Sequence, residues 1–161
     1  MIKTFSVRHF TSLTIWLIPF LFFIHNLEES FQMPQYIANQ FSIAFITSQQ
    51  FSIAISILTL FVLLIVFLYQ INILSSIYWI IFIQGAIFFN SVQHIILFFI
   101  YRSYNPGVIS AVFIAIFSIF FFSSQKHLIH KNKFLITLAF SLFSYPIIIW
   151  ITLLFASYFH S

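Results

Sequence analysis

The apolar residues of this chain fall into five long runs separated by short, more polar segments. The runs cover residues 10–29, 51–68, 77–101, 108–123 and 134–156. A helix needs about 20 mostly apolar residues to cross the hydrocarbon core of a bilayer. In lipid, such a segment must satisfy its own backbone hydrogen bonds, which favours helices. The pattern predicts an all-α fold, a polytopic transmembrane helical bundle of about five spans forming a single integral membrane domain over residues 1–161.

Two connections between the runs have local signals of their own. Pro34 suits the first turn of a helix, so we expect a short interfacial helix from Pro34 to about Thr47. The third and fourth runs are joined by Tyr104-Asn105-Pro106-Gly107. Pro followed by Gly suits the two central positions of a type II turn. The sequence therefore predicts a tight turn between these two helices.

The composition narrows the class of protein further. Of 161 residues, 62% are hydrophobic and 5% are charged, and the mean hydropathy is +1.10. A soluble domain is about half apolar and about a quarter charged. We therefore exclude a cytosolic enzyme, a nucleic-acid binder and a disordered chain, and expect the lipid bilayer as the main partner. Cysteine is absent, which excludes disulfides, thiolate metal sites and a cysteine nucleophile.

The basic residues predict an orientation in the membrane. No small-residue cleavage site follows the first run, so we interpret it as a retained helix and not as a signal peptide. Five spans then leave Arg102 alone on one side. The other side carries Lys3, Arg8, Lys126, Lys131 and Lys133. The positive-inside rule predicts a cytoplasmic N-terminus and an extracytoplasmic C-terminus.

The only two acidic residues, Glu28 and Glu29, are adjacent at the end of the first run. On a helix that advances about 100° per residue, Glu28 lies about −60° and Glu29 about +40° from His25. All three side chains can therefore face one way, as ligands of one metal ion do. The acids can instead be solvated loop residues. However, carboxylates at a helix C-terminus oppose the helix dipole, and ionisable residues at membrane depth are functional candidates.

The third run carries Asn90 and His94 on one helix face, four residues apart. His94 lies about 10 Å below the outer boundary of the hydrocarbon core. His25 lies about 22 Å from the inner boundary of a core of about 30 Å, which is about 8 Å below the outer boundary. Because these depths are similar, we expect His94 to meet His25 and the two glutamates. The alternative is that His94 only forms a hydrogen bond to a neighbouring helix. The remaining histidines, at the chain ends or beside lysines, are weaker candidates: His9, His127, His130 and His160.

These motifs resemble the HXXEE family of integral membrane proteins. The HxxEE motif stands as His25-Asn26-Leu27-Glu28-Glu29, the further histidine is His94, and the YxPG motif is Tyr104-Asn105-Pro106-Gly107. The motifs occur in the expected order, over roughly residues 10–155. The resemblance implies a suspected membrane-embedded enzyme without an established reaction. It indicates a site but no substrate.

The leading functional hypothesis is an enzyme in the outer leaflet, a hydrolase or isomerase acting on a lipidic or membrane-delivered substrate. Two histidines and a carboxylate can bind Zn²⁺, Fe or Mn, and a second carboxylate can serve as general base. The predicted metal ligands are His25, Glu29 and His94. The predicted catalytic groups are Glu28 or Glu29 as base, Asn90 as an oxyanion donor and Tyr104 as a phenol.

Three alternatives stay open. Adjacent carboxylates near an apolar wall can titrate as a coupled pair and run metal-free proton transfer on a lipid. The His/Glu cluster can instead bind an ion or heme, or conduct protons. It can also be structural, joining the first and third spans by hydrogen bonds. A cavity open to lipid favours an enzyme, whereas a continuous polar path across the membrane favours transport.

Overall fold

A computed structural model describes residues 2–42, 46–125 and 129–159, with side chains from residue 13 onward within these ranges. Every regular element in this part of the chain is an α-helix, which confirms the predicted all-α fold. The helices are α1 (Ile2–Ser30), α2 (Met33–Phe41), α3 (Ser48–Gln70), α4 (Ile77–Tyr101), α5 (Val108–Gln125) and α6 (Lys131–Ser157).

Four of these helices, α3 to α6, are long and apolar enough to cross a membrane. They coincide with the last four predicted runs to within a few residues, and α4 has the predicted bounds. The first predicted run lies within α1. The side chains of the first part of α1 are outside the described residues, so its passage through the membrane stays a prediction.

The helix α2 is shorter than predicted. It begins near Pro34 as expected, but it ends at Phe41 and not near Thr47. Ser42 adopts a left-handed conformation with φ 58°, which ends the helix. Thr47 caps the next helix instead, because its side chain accepts a hydrogen bond from the Gln50 backbone N–H.

Two long-range hydrogen bonds show that the helices alternate in direction. The Tyr78 hydroxyl accepts from the His130 backbone N–H, at 3.2 Å, so the first turns of α4 and α6 lie at one end of the bundle. The Gln50 amide donates to the Leu153 carbonyl, at 3.0 Å, so the start of α3 and the end of α6 lie at the other. The helix α4 packs against α5 and α6, and α1 packs against α3 and α5.

The outer surface of the bundle is strongly apolar. Fully buried isoleucine and phenylalanine side chains from α1, α4 and α5 form the centre, including Ile18, Ile81 and Phe121. In contrast, most apolar side chains of α6 are exposed, among them Phe140 and Phe143. An apolar surface of this extent is unfavourable in water and is favourable against lipid.

Part of the predicted charge asymmetry lies outside the described residues. This applies to Lys126 and to the side chains of Lys3 and Arg8. Of the weaker histidine candidates, His127, His160 and the side chain of His9 also lie outside the described residues. Lys131 and Lys133 begin α6 at one end of the bundle, whereas Arg102 follows α4 at the other end.

Candidate metal centre

A His/Glu cluster lies where the C-terminal ends of α1 and α4 meet the first turn of α5. His25 and Glu29 are one turn apart on α1, and His94 comes from α4. The Glu29 Oε1 atom is 2.8 Å from His94 Nε2 and 3.5 Å from His25 Nε2. The two imidazole rings meet edge to face, with centroids 4.9 Å apart. The structure therefore brings together the three residues predicted as metal ligands.

The orientation of the His25 ring is fixed by a chain of hydrogen bonds from α5. Ser110 Oγ is 2.5 Å from Glu28 Oε2 and 2.9 Å from His25 Nδ1. An ionised carboxylate only accepts hydrogen bonds, so the Ser110 hydroxyl donates to Glu28 and accepts from the His25 Nδ1–H. The Nε2 atom of His25 is then the acceptor. It receives a hydrogen bond from the Asn90 amide, at 2.9 Å.

The His94 ring is held in an analogous way by Asn105, which lies in the turn after α4. His94 Nδ1 is 2.8 Å from the Asn105 side-chain carbonyl oxygen, which can only accept. The Asn105 amide donates back to the His94 backbone carbonyl, at 2.9 Å, which fixes the orientation of the amide. His94 Nδ1 therefore carries a proton, and Nε2 faces Glu29.

The three candidate ligand atoms lie close enough together to hold one metal ion. His25, Glu29 and His94 each offer one atom, all within 4.8 Å of one another, and the three residues can hold a metal ion. Zinc binds imidazole nitrogen at about 2.0–2.1 Å, which puts tetrahedral ligand atoms about 3.3 Å apart. The distances from Glu29 to the two histidines lie on either side of that value. A proton on each Nδ1 is also the usual state of a metal-bound histidine.

Glu28 faces the other way, toward the N-terminus of α5. Its Oε1 atom accepts from the Tyr104 hydroxyl at 2.9 Å and from the Ile109 N–H at 3.1 Å. Its Oε2 atom accepts from the Ser110 N–H, at 2.8 Å. The first N–H groups of a helix lack partners within the helix, and the helix dipole favours an anion there. Glu28 thus caps α5, and its predicted role as a base stays a prediction.

Tyr104 is half-exposed, and its hydroxyl contacts Glu28 and not the His/Glu cluster. Partial burial, together with the hydrogen bond to the Glu28 carboxylate, raises the pKa of Tyr104 to about 12. The phenol therefore stays protonated at neutral pH and donates to Glu28. The catalytic role predicted for Tyr104 stays a prediction.

The predicted turn after α4 is present and presses against the cluster. The Val108 N–H donates to the Asn105 carbonyl, at 3.2 Å, and Gly107 has φ 94°. A Cβ atom on Gly107 would lie 2.9 Å from His25 Cε1 and 3.0 Å from His94 Cε1. Both the backbone conformation and the close contact therefore require glycine.

A cavity of about 350 Å³ opens beside the cluster, between α1, α2, α3, α4 and α6. Its polar lining includes Glu29 and His94 of the cluster and further comprises Asn26, Tyr36, Asn90, Gln93 and Tyr145. The rest of the lining is apolar. Of the sequence-predicted site residues, Glu29, Asn90 and His94 line this cavity, whereas His25, Glu28 and Tyr104 do not.

Sequence reasoning missed the two residues that orient the histidines. Asn105 stood inside the recognised Tyr104–Gly107 motif, and its buried amide could have been considered as a partner for His94. Ser110 carried no signal of its own, because serine occurs throughout the apolar runs. Only the packing of α5 against α1 brings Ser110 to His25.

Comparison with known protein families shows which family the chain belongs to. A family model described as a protein of unknown function with HXXEE motif matches residues 16–122, which is more than half of the chain. The matched region contains the His/Glu cluster, the turn after α4 and the first turn of α5. No curated protein and no solved structure matches the chain.

Proposed function

The chain belongs to the HXXEE family, and we propose that it is a membrane-embedded metalloenzyme in which the motif residues His25 and Glu29, with His94, bind a divalent metal ion. The proposed substrate is a lipid or another molecule that enters from the membrane. Zinc, iron and manganese all suit two imidazoles and a carboxylate.

One observation carries this proposal: each histidine has its Nδ1 atom engaged elsewhere, so that both Nε2 atoms face Glu29. A cluster that only joined helices would need no such arrangement. Hydrogen-bond partners on the second nitrogen orient histidine ligands and increase their basicity. Ser110 and Asn105 supply these partners, and Glu28 supports Ser110.

The reaction that we propose is hydrolysis or another polar reaction at a carbonyl group. A bound divalent ion would polarise a water molecule or a carbonyl oxygen beside it. The lone pair of His25 Nε2 now accepts from the Asn90 amide. The same lone pair cannot serve Asn90 and a metal, so metal binding would free this amide to donate to an oxygen atom in the cavity. Asn90 is thus our candidate for stabilising an oxyanion.

For Glu28 we propose a positioning role instead of the predicted role as base. Both of its oxygen atoms already accept hydrogen bonds from α5 and Tyr104, and Glu28 does not line the cavity. Glu29 lines the cavity and contacts both histidines. It is therefore the carboxylate that we assign to the metal.

We further propose that the cluster lies in the outer half of the membrane. Lys131 and Lys133 lie at the end of the bundle away from the cluster, whereas Arg102 follows α4 at the cluster end. The positive-inside rule then favours a cytoplasmic N-terminus and an extracytoplasmic C-terminus. A phosphatase fused after Ser161 should be active, and an inactive fusion beside an active cytoplasmic reporter would contradict this orientation.

Elemental analysis of the purified protein tests the metal proposal. We expect about one zinc, iron or manganese per chain in the wild type and a large loss in His94→Ala. The matched control is His130→Ala, because His130 is exposed at the opposite end of the bundle. Equal metal content in all three proteins, or none in any, would contradict the proposal.

A second candidate is metal-free acid–base chemistry by Glu29 and His94. The distance of 2.8 Å between Oε1 and Nε2 supports it, because two acceptors this close share a proton. One of the pair can then donate a proton while the other accepts one. A protein that holds no metal, but loses function in both Glu29→Gln and His94→Ala, would favour this candidate over the metalloenzyme.

A further inference from the structure

We propose that the cavity binds an uncharged lipid with a single apolar chain, and that Tyr36 donates a hydrogen bond to its polar group. This inference deepens the proposed function, on which it rests for the reaction at Glu29 and His94. Binding itself does not require a metal, so the two proposals can fail separately.

The Tyr36 hydroxyl is the first reason to expect a ligand. Tyr36 lies on α2 and lines the cavity. Its hydroxyl oxygen is buried and has no hydrogen-bond partner among the residues that the structure describes. A buried hydroxyl without a partner is unfavourable. A polar atom of a ligand in the cavity would provide the missing partner.

The distribution of polar and apolar lining residues gives the ligand its direction. Along α4, the lining passes from His94 and Asn90 through Ile87 and Ile83 to Phe82. The thirteen residues from Phe82 to His94 extend over about 18 Å of helix. On α4 the polar lining residues are Asn90, Gln93 and His94, and the lining residues from Ile87 to Phe82 are apolar. A molecule that fits has a polar group at the metal centre and an apolar chain directed toward Phe82.

The charge of the lining argues for an uncharged polar group. No lysine or arginine occurs among the residues that line the cavity, and Glu29 is the one acidic residue there. A phosphate or carboxylate on the ligand would be buried beside Glu29 without a side-chain cation, which is costly. An ester, amide or alcohol has no such cost and can accept the hydrogen bond from Tyr36.

The size of the cavity favours a lipid with a single acyl chain. Its volume of about 350 Å³ is near the lower end of the range of roughly 300–1,000 Å³ that holds small organic ligands. A membrane lipid with two acyl chains and a large headgroup is a poor match for this volume. The chemical class is therefore a monoacyl ester, amide or alcohol.

Native mass spectrometry in detergent can measure binding of three probes to the wild-type protein. The probes are 1-monooleoylglycerol, oleoyl lysophosphatidic acid and dioleoylphosphatidylcholine. We expect 1-monooleoylglycerol to bind at least about tenfold more tightly than either of the others. Equal or tighter binding of the anionic probe would overturn the inferred charge, and equal binding of the two-chain lipid would overturn the inferred size.

Filling the cavity tests where the probe binds. Ala86 lines the cavity on α4, and Ala139 is exposed on α6 away from it. We expect Ala86→Phe to lower the affinity for 1-monooleoylglycerol by at least about tenfold and Ala139→Phe to leave it unchanged. Both proteins are first compared by thermal unfolding with the wild type. A folded Ala86→Phe protein with full affinity would overturn the proposed binding site.

Removal of a single hydroxyl tests Tyr36. In Tyr36→Phe, we expect a higher unfolding temperature of the lipid-free protein, because an unpartnered buried hydroxyl is removed. We also expect about tenfold weaker binding of 1-monooleoylglycerol. Tyr158→Phe, an exposed position outside the cavity, is the matched control. Unchanged affinity in Tyr36→Phe would show that the hydroxyl does not bind the ligand. A lower unfolding temperature would show that the hydroxyl stabilises the protein itself. Either result would overturn the role proposed for Tyr36.

Chelator-treated wild-type protein separates this inference from the proposed function. We expect it to bind 1-monooleoylglycerol with an affinity within about threefold of the untreated protein. A protein that binds the probe but never a metal would overturn the metalloenzyme and leave the lipid site. A protein that binds zinc but none of the probes would overturn the lipid site alone.

Discussion

Two regions meet at the end of α1, and each contains one of two adjacent glutamates. In the capping region, Glu28 accepts hydrogen bonds from Tyr104, Ile109 and Ser110 at the N-terminus of α5. In the cavity region, Glu29 contacts His25 and His94 beside the apolar cavity. A rotation of about 100° around one helix therefore separates a carboxylate that stabilises the fold from one that we assign to a metal.

The two regions are not independent. The chain Glu28–Ser110–His25 connects them through hydrogen bonds, so the capping carboxylate also fixes which nitrogen of His25 faces Glu29. This arrangement resembles the carboxylate–histidine–metal triads of many metal sites, with a serine inserted. In the site that we propose, both acids of the motif therefore act on one centre, Glu29 directly and Glu28 through Ser110.

Gly107→Ala should have the largest effect, because Gly107 packs against His25, Glu29 and His94. The new Cβ would lie within about 3 Å of both histidine rings, and φ 94° is strained for alanine. We expect a loss of roughly 2–5 kcal/mol in the free energy of unfolding, together with loss of metal. Gly85→Ala, which crowds Ser141 between α4 and α6, is the control. It should lose stability but keep its metal, and equal metal loss in both proteins would contradict the account.

Separate substitution of the two glutamates should distinguish the cavity region, through metal affinity, from the capping region, through stability. In Glu29→Gln, we expect the metal affinity to fall by more than about 100-fold, since an amide is a poor replacement for a ligand carboxylate. In Glu28→Gln, we expect a loss of about 1–2 kcal/mol in the free energy of unfolding and a smaller decrease in metal affinity. Competition with a chelator and thermal unfolding in detergent measure the two effects. A lower metal affinity in Glu28→Gln than in Glu29→Gln would show that Glu28, and not Glu29, is the metal ligand.

Ser110→Ala should weaken the connection between the regions. His25 then loses the acceptor for its Nδ1–H, and we expect the metal affinity to fall by about 10–100-fold. The control is Ser118→Ala, a buried serine on the same helix that accepts from the Gln84 amide. It should lose stability without a change in metal affinity. Similar metal affinities in the two variants would show that the hydrogen bond from His25 to Ser110 does not orient a ligand.

The smallest effect is the alkaline titration of Tyr104 in the capping region. The pKa of Tyr104 is raised from 10 to about 12, so the folded state favours the protonated phenol. This contribution to stability is complete below pH 10 and is lost as the pH rises through 12. We expect the wild type to lose stability in this window more steeply than Tyr104→Phe. The tyrosinate absorbance of Tyr104 is obtained by subtracting the titration curve of Tyr104→Phe from that of the wild type. Its midpoint should lie near pH 12. A midpoint near pH 10 would contradict the hydrogen bond to Glu28.

Much of the fold follows from local pattern alone. The run at residues 77–101 contains no Asp, Glu, Lys or Arg and ends before Arg102, and α4 has those bounds. Hydropathy determines such helices because the bilayer sets their length. The end of α2 could not be predicted from hydropathy, because it depends on the left-handed conformation of Ser42. Serine also occurs within the helices of this chain, so its presence does not mark a helix end.

The candidate site was predictable as a set of residues but not as a set of roles. Helical spacing brings Glu28 and Glu29 to either side of His25, and depth brings His94 to the same level. Which glutamate faces His94 depends on how α4 and α5 pack around α1. This packing is tertiary and leaves no periodic signal in the sequence. The partners Asn105 and Ser110 depend on the same packing.

X-ray absorption at the zinc edge of the zinc-loaded protein tests the division of roles most directly. We predict nitrogen and oxygen ligands at about 2.0–2.1 Å from the zinc ion, with the scattering pattern of two imidazoles. This pattern should persist in Glu28→Gln and should be lost in Glu29→Gln together with the bound zinc. A wild-type spectrum without imidazole scattering, or a spectrum that is unchanged in Glu29→Gln, would contradict the account.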